Sequence, residues 1–567
     1  MTSKITNKDR PWIENYPKGI SWDAPLDLTP VHETILASCD KHGQKIALDF
    51  LGAITTYESL GQQIRAMAGA LQSEYGIKKG SRVAILLPNT PFFPVAYYAV
   101  LLCGGTVVNC NPLYTVNELS HIIGNSGADL LISVDLEVVF EKADKLLNRG
   151  DVKKVIVGHF PDTLSGAKKI LYKLLKGKEL SKWQTSNNAK NIAKFSDLLD
   201  LDISPTPVKI DAKKDIAVQQ YTGGTTGVPK GAMLTHANIA ANLSQIMLWG
   251  CGVFEPPAKL VAVLPFFHIF AMTVCMNVPL SRGTSVIMLP RFEMKMMVAL
   301  LKRTKPDILP AVPTLTLALA NAPEATKEAL STLKLVISGG AALPNETREA
   351  FAKKSDVLLA EGYGLTECSP VVTCAALLEP SKPLSIGQPL PGTDVRFIDL
   401  EDENKFVEVG KKGELVVKGA QVMLGYYNSE EASKNAFVNG WFRTGDVGYV
   451  DKDGYCFLVD RIKDLIICSG FNVYPRHIEE AVSKHEAVDE VTVIGVSDEY
   501  RGEAPIAFIK LLPGKTVSED DMKTFLKEHI SKIEMPREII FKDELPKTLV
   551  GKLSKKELRD EYAQLKG

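Results

Sequence analysis

From about Thr29 onward, short apolar runs alternate with stretches whose apolar residues recur at helical spacing. Residues 83–87, 106–109 and 129–133 read as buried strands, and their alternation with helical patterns predicts parallel α/β layers. Pro88-Asn89-Thr90 reads as a turn, and residues 91–102, apolar on every side, predict a buried helix.

The pattern changes after about Lys382, where 394–398, 413–417 and 455–459 predict strands separated by glycine and charged turns, a small β subdomain. Beyond Asp460 a compact unit is expected, with helices at 475–485 and 518–530 and strands at 491–494 and 506–511. The boundary falls at Asp460-Arg461, giving domains 1–459 and 460–567. No internal repeat or low-complexity tract interrupts either part.

One segment departs from the layered pattern. Residues 161–183 carry six lysines against Asp162 and Glu179, and Ala167 to Lys176 sets apolar and lysine side chains at helical spacing. A basic amphipathic helix of this kind can lie on an anionic membrane surface. A solvated helix packing its leucines on the body is the other reading.

At 567 residues the chain exceeds what one core holds, since single cores stop growing at roughly 250–300 residues, so at least two domains are expected. With 66 Lys+Arg against 67 Asp+Glu, the net charge of -1 argues against nucleic acid as a partner. Nine scattered cysteines without a CxxC pair fit reduced, mostly buried thiols better than a disulfide framework. The N-terminus lacks the apolar region of a signal peptide and no apolar run approaches 20 residues, so a cytoplasmic chain that does not span the bilayer is expected.

The sharpest chemical feature is Tyr221-Thr222-Gly223-Gly224-Thr225-Thr226-Gly227-Val228-Pro229-Lys230-Gly231. Glycines let backbone approach phosphates, while hydroxyls, N–H groups and a cation bind their oxygens. The string is not a Walker A loop, because GxxxxGK[ST] is absent and the lysine follows a proline. It resembles the phosphate loop of the adenylate-forming superfamily, which comprises acyl-CoA synthetases, nonribosomal adenylation domains and firefly luciferase. Further motifs recur in that family's order: Leu264 to His268, Ser338 to Ala341, Gly362 to Glu367, Trp441 to Asp446, Asp460 to Asp464, and Pro546 to Lys552.

The resemblance implies an α/β fold: a large N-terminal domain of two α/β sheet layers plus a β subdomain, and a small mobile α+β C-terminal domain. It implies that ATP lies on Thr222, Gly223, Gly224, Thr225, Thr226, Gly227 and Lys230, with Thr366 at the phosphates. Glu367 would help hold Mg²⁺, as a hard carboxylate beside phosphates can. Gly339, Gly340, Ala341, Tyr363 and Gly364 match the adenine slot, Asp446 the carboxylate that accepts both ribose hydroxyls, and Arg461 a ribose- and phosphate-contacting arginine. Lys552 matches the lysine that bridges substrate carboxylate and α-phosphate, aligning the nucleophile and stabilising charge. His268 matches a wall or gate of the acyl pocket; a core histidine satisfied by one hydrogen bond is the plainer reading.

Two half-reactions need two geometries, because an acyl-adenylate hydrolyses readily and the thiol of CoA must later reach the same carbonyl. The resemblance implies rotation of the C-terminal domain about Asp460, with Gly470 leaving room for the pantetheine arm. Val108 to Thr115, the basic 161–183 segment and Val550-Gly551-Lys552 are similar to bacterial-type long-chain fatty acyl-CoA synthetases, so a long-chain fatty acid is the expected substrate. The chain departs from some of these at Phe270-Ala271-Met272, where they carry a tryptophan gate. Medium-chain or aromatic acids such as 4-coumarate are the alternative substrates. A carrier-protein acceptor, luciferin chemistry and a non-catalytic nucleotide- or lipid-binding relative are the other classes. The basic pattern of 161–183 leads to the expectation of peripheral contact with the inner face of the cell membrane, and a homodimer is a further expectation.

Overall fold

The computed structural model describes residues 9–222, 229–469, 471–498, 500–547 and 553–566. Two large sheets form the body. One has seven strands, and its centre runs parallel through Lys154–Gly158, Leu130–Val134, Arg82–Ile85, Thr106–Asn109 and Ile216–Thr222. The other has nine, with a parallel centre of Ser285–Met288, Lys259–Ala262, Ile308–Ala311, Leu335–Ser338 and Leu358–Gly364. Parallel strands must be covered on both faces, which is why they read as continuous apolar runs rather than as alternation.

The helix Phe92–Leu102 buries every residue from Phe93 to Leu101. A helix apolar all round belongs inside a core, which explains why its pattern showed no polar face. It packs with Val31–His42 and Tyr57–Tyr75 in one hydrophobic cluster that also takes in side chains from both large sheets.

A five-stranded antiparallel sheet follows, with Asp394–Ile398, Gly413–Lys418 and Trp441–Val450 in sequence and Cys456–Arg461 on the far side of Trp441–Val450. The last part of the chain has its own five-stranded sheet, dominated by the long pair Val488–Asp498 and Gly502–Leu511. Its two apolar clusters draw only on residues from Ile466 onward. The expected helix at 518–530 is shorter, Glu519–Leu526, and begins where the Ser518 side chain accepts the N–H of Asp521 as an N-cap.

The basic segment forms the helix Gly166–Lys176, in which no residue is buried. The reading in which its leucines pack on the body is not what the fold shows: Ile170, Leu171, Leu174 and Leu175 are 65%, 54%, 76% and 74% exposed. The helix is anchored instead through Tyr172, whose ring packs 5.0 Å from Phe160, through Lys168, which donates to Leu51 O at 2.6 Å, and through Lys169, which pairs with Asp162, and the leucines face outward. Among the described residues, no helix is long and apolar enough to cross a membrane.

Candidate active site

In open α/β sheets, ligands bind outside the carboxyl ends of the strands. Here the carboxyl ends of strands from both large sheets converge on one cavity of about 410 Å³. That volume lies within the roughly 300–1,000 Å³ range of small-molecule sites.

The first wall is a hairpin. Strand Ile216–Thr222 pairs antiparallel with Lys230–Thr235, so Thr222 stands opposite Lys230 and both line the cavity. The connecting Gly223, Gly224, Thr225, Thr226 and Gly227 lie outside the described residues. The outer edge of the hairpin binds the 424–427 segment through Met233 N–H to Gly425 O (2.9 Å) and Tyr427 N–H to Gly231 O (2.8 Å). This pairing delivers Tyr426 to the site, with its ring 5.6 Å from the Lys230 ammonium.

The second wall follows strand Leu358–Gly364, where the chain passes Gly364 and Leu365 into a turn of 3₁₀ helix, Thr366–Cys368. A Cβ on Gly364 would sit 2.3 Å from the Pro370 carbonyl oxygen, so only glycine fits. Glu367 accepts the Tyr426 hydroxyl at 2.8 Å. Burial first, and the Glu367 carboxylate second, push the Tyr426 hydroxyl far above its ordinary range and keep it a donor. Among the described residues no group of three or more His, Cys, Asp or Glu is arranged to hold a metal. One carboxylate, in a cavity that Thr222 and Thr366 also line, suits a hard cation carried in on phosphates, which needs only one or two protein carboxylates.

The slot between the walls is formed by Gly339 and Gly340 after strand Leu335–Ser338, and by Tyr363. Ala341 does not join it. Gly340 takes φ +82°, a left-handed turn that glycine adopts freely, and the chain leaves the cavity with Ala341 exposed. Tyr363 donates its hydroxyl to Asp446 at 2.5 Å. Arg461 pairs with the other oxygen of Asp446 at 2.9 Å, and that carboxylate is the largest cause holding the Arg461 guanidinium charged.

The remaining end is apolar. His268 lines it on the segment 264–268, which is held by the turn residue Asn89: its side-chain nitrogen donates to Leu264 O at 2.9 Å, and its oxygen accepts the N–H of Phe266 at 2.8 Å. Gln220 grips the same segment, donating to Phe267 O at 2.9 Å. The His268 Nδ1 accepts the N–H of Phe270 at 3.3 Å. Ile246, Trp249, Phe254 and Leu377 extend this wall. Cys374 also lines it, but burial pushes its thiol up to about 12, which makes it neutral wall rather than nucleophile.

The fold therefore brings Thr222, Lys230, Gly339, Gly340, Tyr363, Gly364, Thr366, Glu367, His268 and Arg461 to one cavity, with Asp446 directly behind Tyr363 and Arg461. Lys552 and Gly470 lie outside the described residues. Sequence reasoning missed Tyr426, Trp249 and Phe254. Each reaches the cavity through tertiary packing, and none sits in a motif that marks it.

The arrangement offers a hydroxyl- and cation-lined anion site, a glycine-walled aromatic slot, a carboxylate with two donors, and an apolar extension. Comparison with known proteins agrees with this combination. Residues 35–427 match the family model described as AMP-binding enzyme, and residues 477–552 match the AMP-binding enzyme C-terminal domain. The long-chain-fatty-acid--CoA ligase of Bacillus subtilis is 37% identical over 98% of both chains, and that of Yersinia pestis is 37% identical over 98% of this chain and 99% of its own. The 4-coumarate--CoA ligase 1 of rice is 31% identical, over 91% of this chain and 88% of its own. Among solved structures, ATP-bound MatB from Rhodopseudomonas palustris superposes with a TM-score of 0.82 at 28% identity, covering 94% of this chain and all of that one. The chain belongs to the AMP-binding enzyme family.

Proposed function

We propose that this protein is a long-chain fatty acid–CoA ligase. The observation that carries the reading is the continuity of the cavity: the polar end around Thr222, Lys230 and Glu367 runs without a break into the apolar end around His268 and Trp249. An acid lying in the apolar end presents its carboxylate to a nucleotide held in the polar end. The names of the Bacillus and Yersinia relatives, similar over nearly the whole chain, support the fatty acid over an aromatic acid.

In the first half-reaction a carboxylate oxygen attacks the α-phosphorus of ATP and pyrophosphate leaves, giving acyl-AMP. In the second, the thiol of CoA attacks the acyl carbonyl, its proton passes to solvent, and AMP leaves. Lys230 and Thr222 hold phosphate oxygens, Tyr363 packs against the adenine, Asp446 accepts the ribose hydroxyls, and Lys552 supplies the cation of the first step. Glu367 is the residue suited to hold Mg²⁺ with the phosphates, and that ion supplies charge neutralisation to the leaving pyrophosphate. Asp460 serves as the hinge between domains 1–459 and 460–567. Its carboxylate accepts the N–H groups of Arg461 (2.8 Å) and Arg476 (2.9 Å), a bridge from the strand Cys456–Arg461 to the first turn of helix Pro475–Ser483.

The exposed leucines of helix Gly166–Lys176, flanked by Lys168, Lys169, Lys173 and Lys176, support contact with an anionic membrane from which a fatty acid can be collected.

The deciding experiment measures carboxylate-dependent ATP–pyrophosphate exchange and CoA thioester formation together, with acids from acetate to oleate plus 4-coumarate. Both activities should peak with long chains. A coumarate or short-chain optimum would remove the substrate assignment, and no exchange with any acid would remove the ligase reading.

A further inference from the structure

One side chain in the apolar wall of the cavity, Trp249, is held on two sides. Ile246 and Trp249 are three residues apart on helix His236–Trp249, so they present to the same face and both line the cavity. Trp249 is the last residue of that helix and is 3% exposed. Its indole N–H donates to the Ala375 carbonyl at 2.9 Å, which ties the helix end to the loop that follows strand Val371–Cys374. Its ring is met edge-on by Tyr16, with centroids 5.1 Å apart and planes at 74°.

Tyr16 belongs to the N-terminal arm, which is fastened to the body on either side of this contact. The Tyr16 hydroxyl donates to the Pro389 carbonyl at 2.5 Å, next to the cavity residue Leu390. Trp22 donates to Thr393 O at 2.9 Å and accepts the Gly392 N–H at 2.7 Å, and Arg10 pairs with Asp394 at 2.7 Å. The arm thus braces an indole that lines the cavity, through Tyr16, which does not line it. A flexible aliphatic residue there would yield to a longer ligand. A hydrogen-bonded, edge-packed indole gives up both contacts if it moves.

We propose that Trp249, braced by Tyr16, is the stop that sets the longest acyl chain the cavity accepts, and that the N-terminal arm is therefore part of the specificity apparatus. The inference rests on the fatty acid ligase reading and adds the residue that measures the chain. The terminal methyl of the acyl group meets the indole face, and a chain too long by one or two carbons must displace it.

The test uses non-hydrolysable acyl-sulfamoyl-adenosine analogues with acyl groups of C8 to C20, whose affinities are measured by calorimetry for the wild type, Trp249→Ala, Trp249→Phe and Tyr16→Ala. In the wild type, affinity should rise with length and then fall beyond a limit. Trp249→Ala should move that limit at least two carbons longer, with affinity for the first excluded analogues gaining about fourfold for each methylene that becomes buried. Trp249→Phe and Tyr16→Ala should move it in the same direction by less, and they carry the test if the alanine variant at 249 fails to fold. Unchanged ratios between long and short analogues in the folded variants would overturn the stop while leaving the ligase reading intact. Failure of the wild type to bind any analogue would overturn both.

Discussion

Tyr363 and Asp446 are joined by a 2.5 Å hydrogen bond, so a residue of the aromatic slot and the carboxylate beside it form one unit. Burial first and Asp446 second push the Tyr363 hydroxyl well above its ordinary range, so it is a donor throughout the physiological range. With Arg461 on its other oxygen, Asp446 is 3% exposed and already accepts one donor on each oxygen, which leaves a lone pair on each for a further donor. A ribose diol can donate to the acceptor sites that remain.

Asp446→Ala should therefore raise the KM for ATP in pyrophosphate exchange at least tenfold, the loss of about 1.4 kcal/mol or more of charge-assisted hydrogen bonding. Tyr363→Phe should change it far less, because the ring stays in the slot and the ribose hydroxyl supplies the donor that the phenol no longer does. Equal losses in the two variants would show that Asp446 serves the tyrosine rather than the nucleotide.

Lys552→Ala should abolish acyl-AMP formation while sparing thioester formation from supplied acyl-AMP and CoA. In the first step the lysine aligns the substrate carboxylate as the nucleophile on the α-phosphorus, whereas in the second the nucleophile is the CoA thiol and the proposed rotation about Asp460 has carried the lysine away. A parallel loss in both assays would argue against separate poses for the two half-reactions.

The outward leucines of helix Gly166–Lys176 give a membrane test that is independent of catalysis. Leu174→Ser with Leu175→Ser should weaken co-sedimentation with phosphatidylserine vesicles. The melting temperature should hardly move, since both side chains are mostly exposed. Changing Lys168, Lys169, Lys173 and Lys176 to Gln should weaken binding to the same vesicles and flatten its salt dependence. The loss should be less than four full charges would give, because Lys169 already pairs with Asp162 and Lys176 with Glu179. Unaltered binding in both variants would leave the helix as ordinary surface.

A buried histidine pair predicts the acid limb of stability. His32 and His236 pack edge to face at 5.5 Å, and burial lowers them to about 3 and about 4 respectively, with their mutual repulsion adding to His32. Both are neutral in the folded state, while the unfolded chain takes up protons below about 6.5. Stability should therefore be complete above about 6.5 and fall, by about 1.4 kcal/mol per pH unit for each histidine, as pH drops toward 4. Urea midpoints at pH 7 and pH 5 should converge in His32→Phe. An acid loss equal to that of the wild type would place the titration elsewhere.

Much of this was legible in the chain itself. The parallel strands announced themselves because strands covered on both faces must be apolar throughout, and strand Thr106–Asn109 emerged with the bounds its pattern implied. Glycine- and hydroxyl-rich runs marked the nucleotide end, because backbone approaches phosphates most closely where side chains are absent, whereas Gly364 is needed for a different reason, the Pro370 carbonyl 2.3 Å from where its Cβ would be. The helical period of residues 167–176 was equally plain, but period alone does not say which face meets the body. The contacts of Tyr172 with Phe160, Lys168 with Leu51 O and Lys169 with Asp162 put the other face on the body and left the leucines in solvent.

By itself, then, the sequence determined the element types, the order of the parts and the polar half of the site, since these depend on local spacing and on residues whose chemistry is specific to phosphate and ribose. Apart from His268, tertiary structure decided the apolar half. Trp249 and Phe254 are ordinary hydrophobic residues in ordinary helical and turn contexts, and nothing local separates a tunnel wall from a core. Their role arises only because strand Val371–Cys374, helix His236–Trp249 and an arm more than 200 residues away in sequence close around the same space, with Tyr16 against Trp249. Packing is non-directional and sums over distant partners, so it leaves no signature in any one stretch of chain.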